Sequence, residues 1–152
     1  MAESPPQVNA FLLCDSAFQQ AITGKWCIIG TFGVIWARQF PVTHAPLSVF
    51  IGLSDFRGNG TIKTLVRDDQ GALLTEVKAP IPELPMSIAE FAFAFPPIQF
   101  NRPGSYTLEL WLDGSFLTAR SFRVEQAPNH PPGRPPFPPG TPPPSDDSPF
   151  DN

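Results

Sequence analysis

Cysteine, histidine and tyrosine are nearly absent from this chain: two, two and one among 152 residues. That scarcity excludes chemistry before any fold is considered. Two cysteines and the lone histidine ahead of the C-terminal stretch, His44, fall one ligand short of a closed zinc site. Neither Cys14 nor Cys27 stands in a Cys-x-x-Cys motif or beside a basic residue that would make its thiolate. Basic residues are also few, with ten Lys and Arg against 14 Asp and Glu. They form no cluster, so the counterion release that drives nucleic-acid binding has no source, and no nucleic acid is expected as partner. Long apolar runs are missing too. The longest, 27–37, is interrupted by Gly30, Thr31 and Gly33, where a membrane helix needs about twenty residues. The opening Met-Ala-Glu-Ser-Pro-Pro-Gln has no basic region ahead of a secretory segment. The expectation is a cytoplasmic protein off the membrane, with both thiols reduced and no cofactor.

What is abundant is phenylalanine, 14 residues, and proline, 21 residues, 11 of which fall in the last 26 positions. A 152-residue chain that is 41% hydrophobic supports one core. The chain divides into a short extension, 1–7, a domain, 8–126, and a proline-rich tail, 127–152. So much proline removes backbone donors, and the tail's sparse apolar content cannot offset ordering entropy, so it is expected to be disordered or extended.

Inside the domain no segment keeps a helical period, whereas short alternating runs recur between turn signals. Strands are expected over 8–15, 25–36, 47–55, 61–68, 72–79, 87–95, 106–112 and 115–125. Eight strands in this length suit an all-β, antiparallel sandwich of two sheets. Pro103-Gly104-Ser105-Tyr106-Thr107-Leu108-Glu109-Leu110-Trp111-Leu112-Asp113-Gly114 reads as loop, strand and hairpin turn in succession. Period two puts Tyr106, Leu108, Leu110 and Leu112 on the core face and Trp111 on the other. Tyr106 after Pro-Gly resembles the tyrosine corner of immunoglobulin-like sandwiches, whose hydroxyl bonds backbone in the preceding corner. A two-residue Asp113-Gly114 turn pairs Leu110 with Leu117 and Leu108 with Ala119. Phe122 and Val124 then have the wrong parity for the core, which a β-bulge near Arg120 and Ser121 would correct. Phe91, Phe93 and Phe95 share one face of their strand and are expected in the core.

Candidate chemistry is thin. A hairpin turning near Gln20 and Ala21 would set Cys14 opposite Cys27; small buried apolar residues are the plainer reading of both. A thiol enzyme on either cysteine would need His44 as base. Asp15, Asp55, Glu83 and Asp113 fall at one end of the sandwich if successive strands alternate, an arrangement open to calcium, although aspartate also caps ordinary turns. Trp111 and Phe116 should be cross-strand partners facing away from the core, and exposed aromatics of this kind serve a dimer contact, a protein partner or a sugar. In the tail, the run Arg134-Pro135-Pro136-Phe137-Pro138-Pro139 suits an aromatic-lined groove in polyproline form. Its last residues, through Phe150, resemble the acidic Pro-Phe tip of bacterial single-strand DNA-binding proteins. There the tip ends on phenylalanine, whereas two residues follow Phe150, and the function is not carried over.

Leu13-Cys14-Asp15, Thr23-Gly24-Lys25, Ile29-Gly30-Thr31-Phe32, Phe40-Pro41, Ala89-Glu90-Phe91, Pro103-Gly104-Ser105-Tyr106, Glu109-Leu110-Trp111-Leu112-Asp113-Gly114 and Phe122-Arg123-Val124 together resemble an uncharacterised bacterial family. The resemblance spans 8–126 and implies a small cytoplasmic β-sandwich of unknown function. The combined reading is a non-enzymatic interaction or accessory module with a protein partner, able to self-associate, whose contacts are Trp111, Phe116, Arg134, Phe137 and Phe150. A carbohydrate- or calcium-binding sandwich is the alternative.

Overall fold

The structure is a computed structural model and describes residues 4–128. The alternating segments form eleven strands: β1 (Gln7–Gln19), β2 (Trp26–Thr31), β3 (Val34–Ala37), β4 (Val42–His44), β5 (Ser48–Ser54), β6 (Gly60–Arg67), β7 (Leu73–Ile81), β8 (Ile88–Ala94), β9 (Ile98–Phe100), β10 (Gly104–Leu112) and β11 (Ser115–Gln126). Two sheets, ordered β2-β1-β5-β8 and β3-β11-β10-β6-β7, face each other, and β4 pairs with β9 beside them. The immunoglobulin-like sandwich expected from the strand pattern is therefore present. Phe11, Leu13, Val49, Ile51 and Leu53 from the first sheet meet Ile62, Val66, Leu108, Leu110 and Phe122 from the second in one apolar core.

One pairing is not antiparallel. The stretch expected as a single strand over 25–36 breaks at Phe32 and Gly33, and β3 crosses to the second sheet, where it runs parallel to β11. Arg123 N donates to Gly33 O at 2.9 Å at the crossing. Period two cannot mark such a change, because 27–37 is a near-continuous apolar run with no alternation to interrupt.

Tyr106 Oη donates to Arg102 O at 2.6 Å, the backbone bond that a tyrosine corner makes. Its ring stacks on Phe122 at 5.8 Å between centroids and meets Phe100 edge-on at 4.8 Å. Phe91 and Phe93 stand opposite Ile51 and Val49 and pack against the core, and Phe95 is buried. β8 is a sheet edge, which leaves the first two half-buried.

The bulge that parity demands in β11 lies nearer the turn than Arg120. Trp111 pairs with Phe116, but Leu110 pairs with Thr118, so Leu117 is the extra residue, and Leu108 pairs with Arg120 rather than Ala119. Placed there, it returns Phe122 and Val124 to the core face, where they are 1% and 0% exposed. It also turns Arg120 inward. The guanidinium donates to Phe11 O at 3.1 Å and ties β11 to the facing sheet.

β1 changes partner along its length. Gln7 to Cys14 pair with β5, while Cys14 to Gln19 pair with β2, so the β1–β2 ribbon is joined to the sheet through Cys14. Asp15 and Gly30 skip the ladder there, and Gly30 has φ +68°. That left-handed φ favours glycine, and a Cβ there would stand 2.5 Å from Asp15 Oδ2 and push the carboxylate aside. Beyond it the ribbon folds back over the sheet's outer face. Trp26 pairs with Gln19, seven residues past Leu12, which is roughly 23 Å in an extended strand, yet its ring lies 5.4 Å from Phe50, the partner of Leu12.

Ala127 N donates to Ala37 O at 2.7 Å, so ordered pairing runs one residue past Gln126. Among the described residues no helix is long and apolar enough to cross a membrane.

Candidate functional site

Strand β6 reads Thr61-Ile62-Lys63-Thr64-Leu65-Val66-Arg67, and its register against β10 sets Lys63 beside Trp111, Leu65 beside Glu109 and Arg67 beside Thr107 on the outer face of the second sheet. From the other side β11 brings Phe116 against Trp111, with ring centroids 5.5 Å apart and planes at 76°. This edge-to-face contact between aromatics is the favoured one. The indole is held further by its N–H, which donates to Glu109 Oε1 at 3.2 Å. Glu109 Oε2 in turn accepts from Arg67 Nε at 2.6 Å. Lys63 Nζ sits 4.8 Å from the centroid of Trp111, within cation–π range. Beneath this layer Leu65 is 1% exposed although it faces outward from the sandwich. Trp111 is thus held by three neighbours, Phe116, Glu109 and Lys63, and Phe116 remains half exposed at 52%.

Phe116 also borders an open cleft of about 890 Å³ at the end of the sandwich, walled by Pro5 and Pro6, by Phe56 and Arg57, and by Leu112 and Leu117. The backbone is strained around this end. All four described non-glycine residues with positive φ, Asp55, Met86, Ser87 and Asp113, stand at its loops, and such strain persists only where surrounding structure enforces it. Phe56 N donates to Ser87 O at 3.1 Å, which joins two of these loops. Asp113 Oδ1 accepts from Thr61 N at 2.8 Å and pins the hairpin turn against the start of β6. Among the described residues Arg57 is in no ion pair, so its guanidinium is available to an acidic ligand in the cleft.

A family model matches residues 9–125 of the chain. The chain belongs to this family of unknown function, DUF6941. The match covers all but the outermost residues of β1 and β11, including the aromatic pair and the Asp113 turn. An immunoglobulin-like protein from Pseudomonas aeruginosa is similar in structure, with a TM-score of 0.42 and 13% identity over 82% of this chain and 100% of that one. No curated protein matches this DUF6941 chain.

Of the residues singled out from sequence, the structure brings Trp111 and Phe116 together and separates most of the others. Arg134, Phe137 and Phe150 lie outside the described residues. Cys14 pairs with Thr31 and Cys27 with Phe18, so the two thiols are four ladder positions apart rather than opposed. The ribbon turns between Gln20 and Lys25, not at Gln20 and Ala21, and this longer turn sets the offset. Cys14 is fully buried, with Sγ 3.7 Å from Ser48 O, and burial followed by the nearby Asp15 charge pushes its pKa up. That is the opposite of an activated nucleophile. His44 has its ring edge-on to Phe32 and its Nε2 buried without a hydrogen-bond partner, and it bonds neither thiol. Asp15 lies at the far end of the sandwich from Asp55, because β1 runs antiparallel to β5. Asp113 is committed to Thr61, and among the described residues no three acidic, cysteine or histidine side chains converge. The calcium arrangement therefore has no site here.

Leu65 and its cover of Lys63, Arg67 and Glu109 escaped the sequence reading. The available signal was an apolar residue between two cations on the outward parity of β6.

Proposed function

We propose that this protein is a non-enzymatic interaction module that docks a protein partner through the Trp111 and Phe116 face and the adjoining cleft. The observation that carries the reading is that the exposed ring of Phe116 packs on a half-buried Trp111 that is itself held by polar neighbours. The indole is held by Lys63 and by Glu109, which Arg67 holds in turn, and Phe116 packs edge-on against the indole. A rigid aromatic anchor loses little conformational entropy on binding, and such anchors dominate interface energetics. Arg57 in the cleft favours a partner segment bearing a carboxylate near an apolar side chain. The proline-rich tail, with Arg134, Phe137 and Phe150, supplies a second contact of polyproline type to the same assembly.

Affinity capture from the cells that make the protein tests both contacts. Phe116→Ala should lose the partner while the far-UV spectrum and Tm stay unchanged, since an exposed ring contributes little to folding. Removal of 127–152 should weaken capture further. An identical partner set for the intact protein, for Phe116→Ala and for the truncated chain would refute the reading.

A further inference from the structure

Trp36 is the most exposed aromatic side chain among the described residues, at 63%. Ile35 and Ala37 are buried beneath β3, so period two sends the indole to the outer face of the second sheet, the face that carries Trp111 and Phe116. Trp36 stands beside Glu125 of β11, and Phe116 lies nine residues back along that strand, with Leu117 bulged between. The two exposed rings are therefore separated by eight strand steps, roughly 26 Å. The chain leaves the body beside the first of them. Ala127 N donates to Ala37 O at 2.7 Å, which roots the tail next to Trp36, and beyond Pro128 the tail continues over 129–152.

We propose that the proline-rich tail docks on this outer face of its own chain, reversing at Asn129 and His130 and running back along β11 from Trp36 to Phe116. The lengths agree. The run from Pro131 to Pro139 has six prolines in nine residues, and at about 3.1 Å per residue in polyproline form it extends roughly 25 Å, the separation of the two rings. Exposed aromatic rings are the surfaces on which proline-rich segments stack, and a preformed extended helix has little entropy to lose there. A root beside Trp36 holds the tail at high effective concentration over this face, which favours the tail of the same chain over that of a second copy.

Charge points the same way. The strands of this face bear four cations, Lys63, Arg67, Lys78 and Arg123, and three carboxylates, Glu76, Glu109 and Glu125. Each carboxylate is paired with a cation, which leaves Lys63 without one among the described residues, directly across from Lys78 in the neighbouring strand. Like charges set opposite each other are destabilising, and an anion over them relieves the repulsion. The tail supplies such anions, with Asp146, Asp147 and Asp151 against the single Arg134. Lys63 lies over Trp111, beside the ring where the proline run ends. The seven residues from Pro139 to Asp146 reach roughly 22 Å, ample for the two strand spacings of about 10 Å from β11 to β6. The docked tail borders the Trp111 and Phe116 anchor and makes one surface with it. Its docking needs no partner and the test contains none, so this inference and the partner reading fail separately.

Backbone nitrogen-15 relaxation of the full chain tests the inference, read at Arg134, Phe137, Asp146 and Asp147, which all keep an amide proton. Docking predicts order parameters above about 0.6 at Arg134 and Phe137, where a free chain falls below that value. Trp36→Ala should return Arg134 to free-chain values, and Phe116→Ala should do the same for Phe137. Lys63→Glu should release Asp146 and Asp147 and leave Arg134 held. The amide spectrum of the strands checks that each variant keeps the fold. Free-chain values throughout the tail of the native protein would overturn the inference. An ordered tail indifferent to Trp36→Ala or to Lys63→Glu would do so too, as would order that appears only as protein concentration rises, which would put the tail on a second copy.

Discussion

The molecule contains two long hairpins that differ in how they are held. The β10–β11 hairpin lies mid-sheet between β6 and β3, buries Tyr106, Leu108, Leu110 and Phe122 beneath it, and sends Arg120 across to the opposite sheet. The β1–β2 ribbon leaves its sheet at Cys14, bends at Gly30, and returns to the body through Trp26 on Phe50. Both present exposed aromatic or aliphatic side chains, but on very different foundations. The exposed ring of Phe116 stands on a braced strand, whereas the exposed Phe18 and Ile29 stand on a two-stranded ribbon. A two-stranded hairpin is marginal by itself in water, so the ribbon depends on what it packs against.

Mutations should separate the two by size of effect. Phe122→Ala removes a fully buried ring from under the braced hairpin and should cost about 3–5 kcal/mol in urea unfolding. Trp26→Ala, a half-buried contact, should cost only about 1–2 kcal/mol, read by the same titration, while freeing the ribbon from the sheet. A global loss for Trp26→Ala as large as that for Phe122→Ala would erase the distinction. Thr64→Val should stabilise by about 1 kcal/mol, read from urea unfolding. Its hydroxyl is buried opposite Leu110 without a partner, and removing an unsatisfied polar group recovers its desolvation cost.

The smallest effect is one of pH. Burial raises the pKa of both Cys14 and Tyr106 in the folded protein. Below the ordinary thiol and phenol values both folded and unfolded states keep their protons and nothing changes. Above them the unfolded chain releases protons that the folded one holds, so stability falls as pH rises. Urea midpoints taken from neutral pH upward should decline, and Cys14→Ala should remove the part of the decline that begins at the thiol value.

The braced hairpin was legible in the sequence and the ribbon was not, for physical reasons. Asp113-Gly114 demands a two-residue turn, so the register of Trp111 with Phe116 follows from local chemistry alone. Tyr106 behind Pro103-Gly104 marks its corner for the same reason. Parity showed that β11 must contain a bulge, but a bulge costs one residue wherever it sits, and only the packing of Leu117 decides its place. The split at Gly33 and the exchange of partner along β1 depend on strands far away in the chain. An alternating run reads the same whether its neighbour is β5, β2 or β11. Among candidate site residues, Trp111 and Phe116 followed from one turn, while Leu65 and Glu109 became part of the site only through the pairing of β6 with β10.

Amide hydrogen exchange followed by mass spectrometry compares the two hairpins directly. Peptides covering Tyr106 to Leu110 should exchange only through global unfolding, and those covering Ser16 to Gln19 should exchange orders of magnitude faster through local opening of the ribbon. Equal protection in both, or slower exchange in the ribbon, would contradict the claim that one hairpin is braced and the other is held by its root and Trp26.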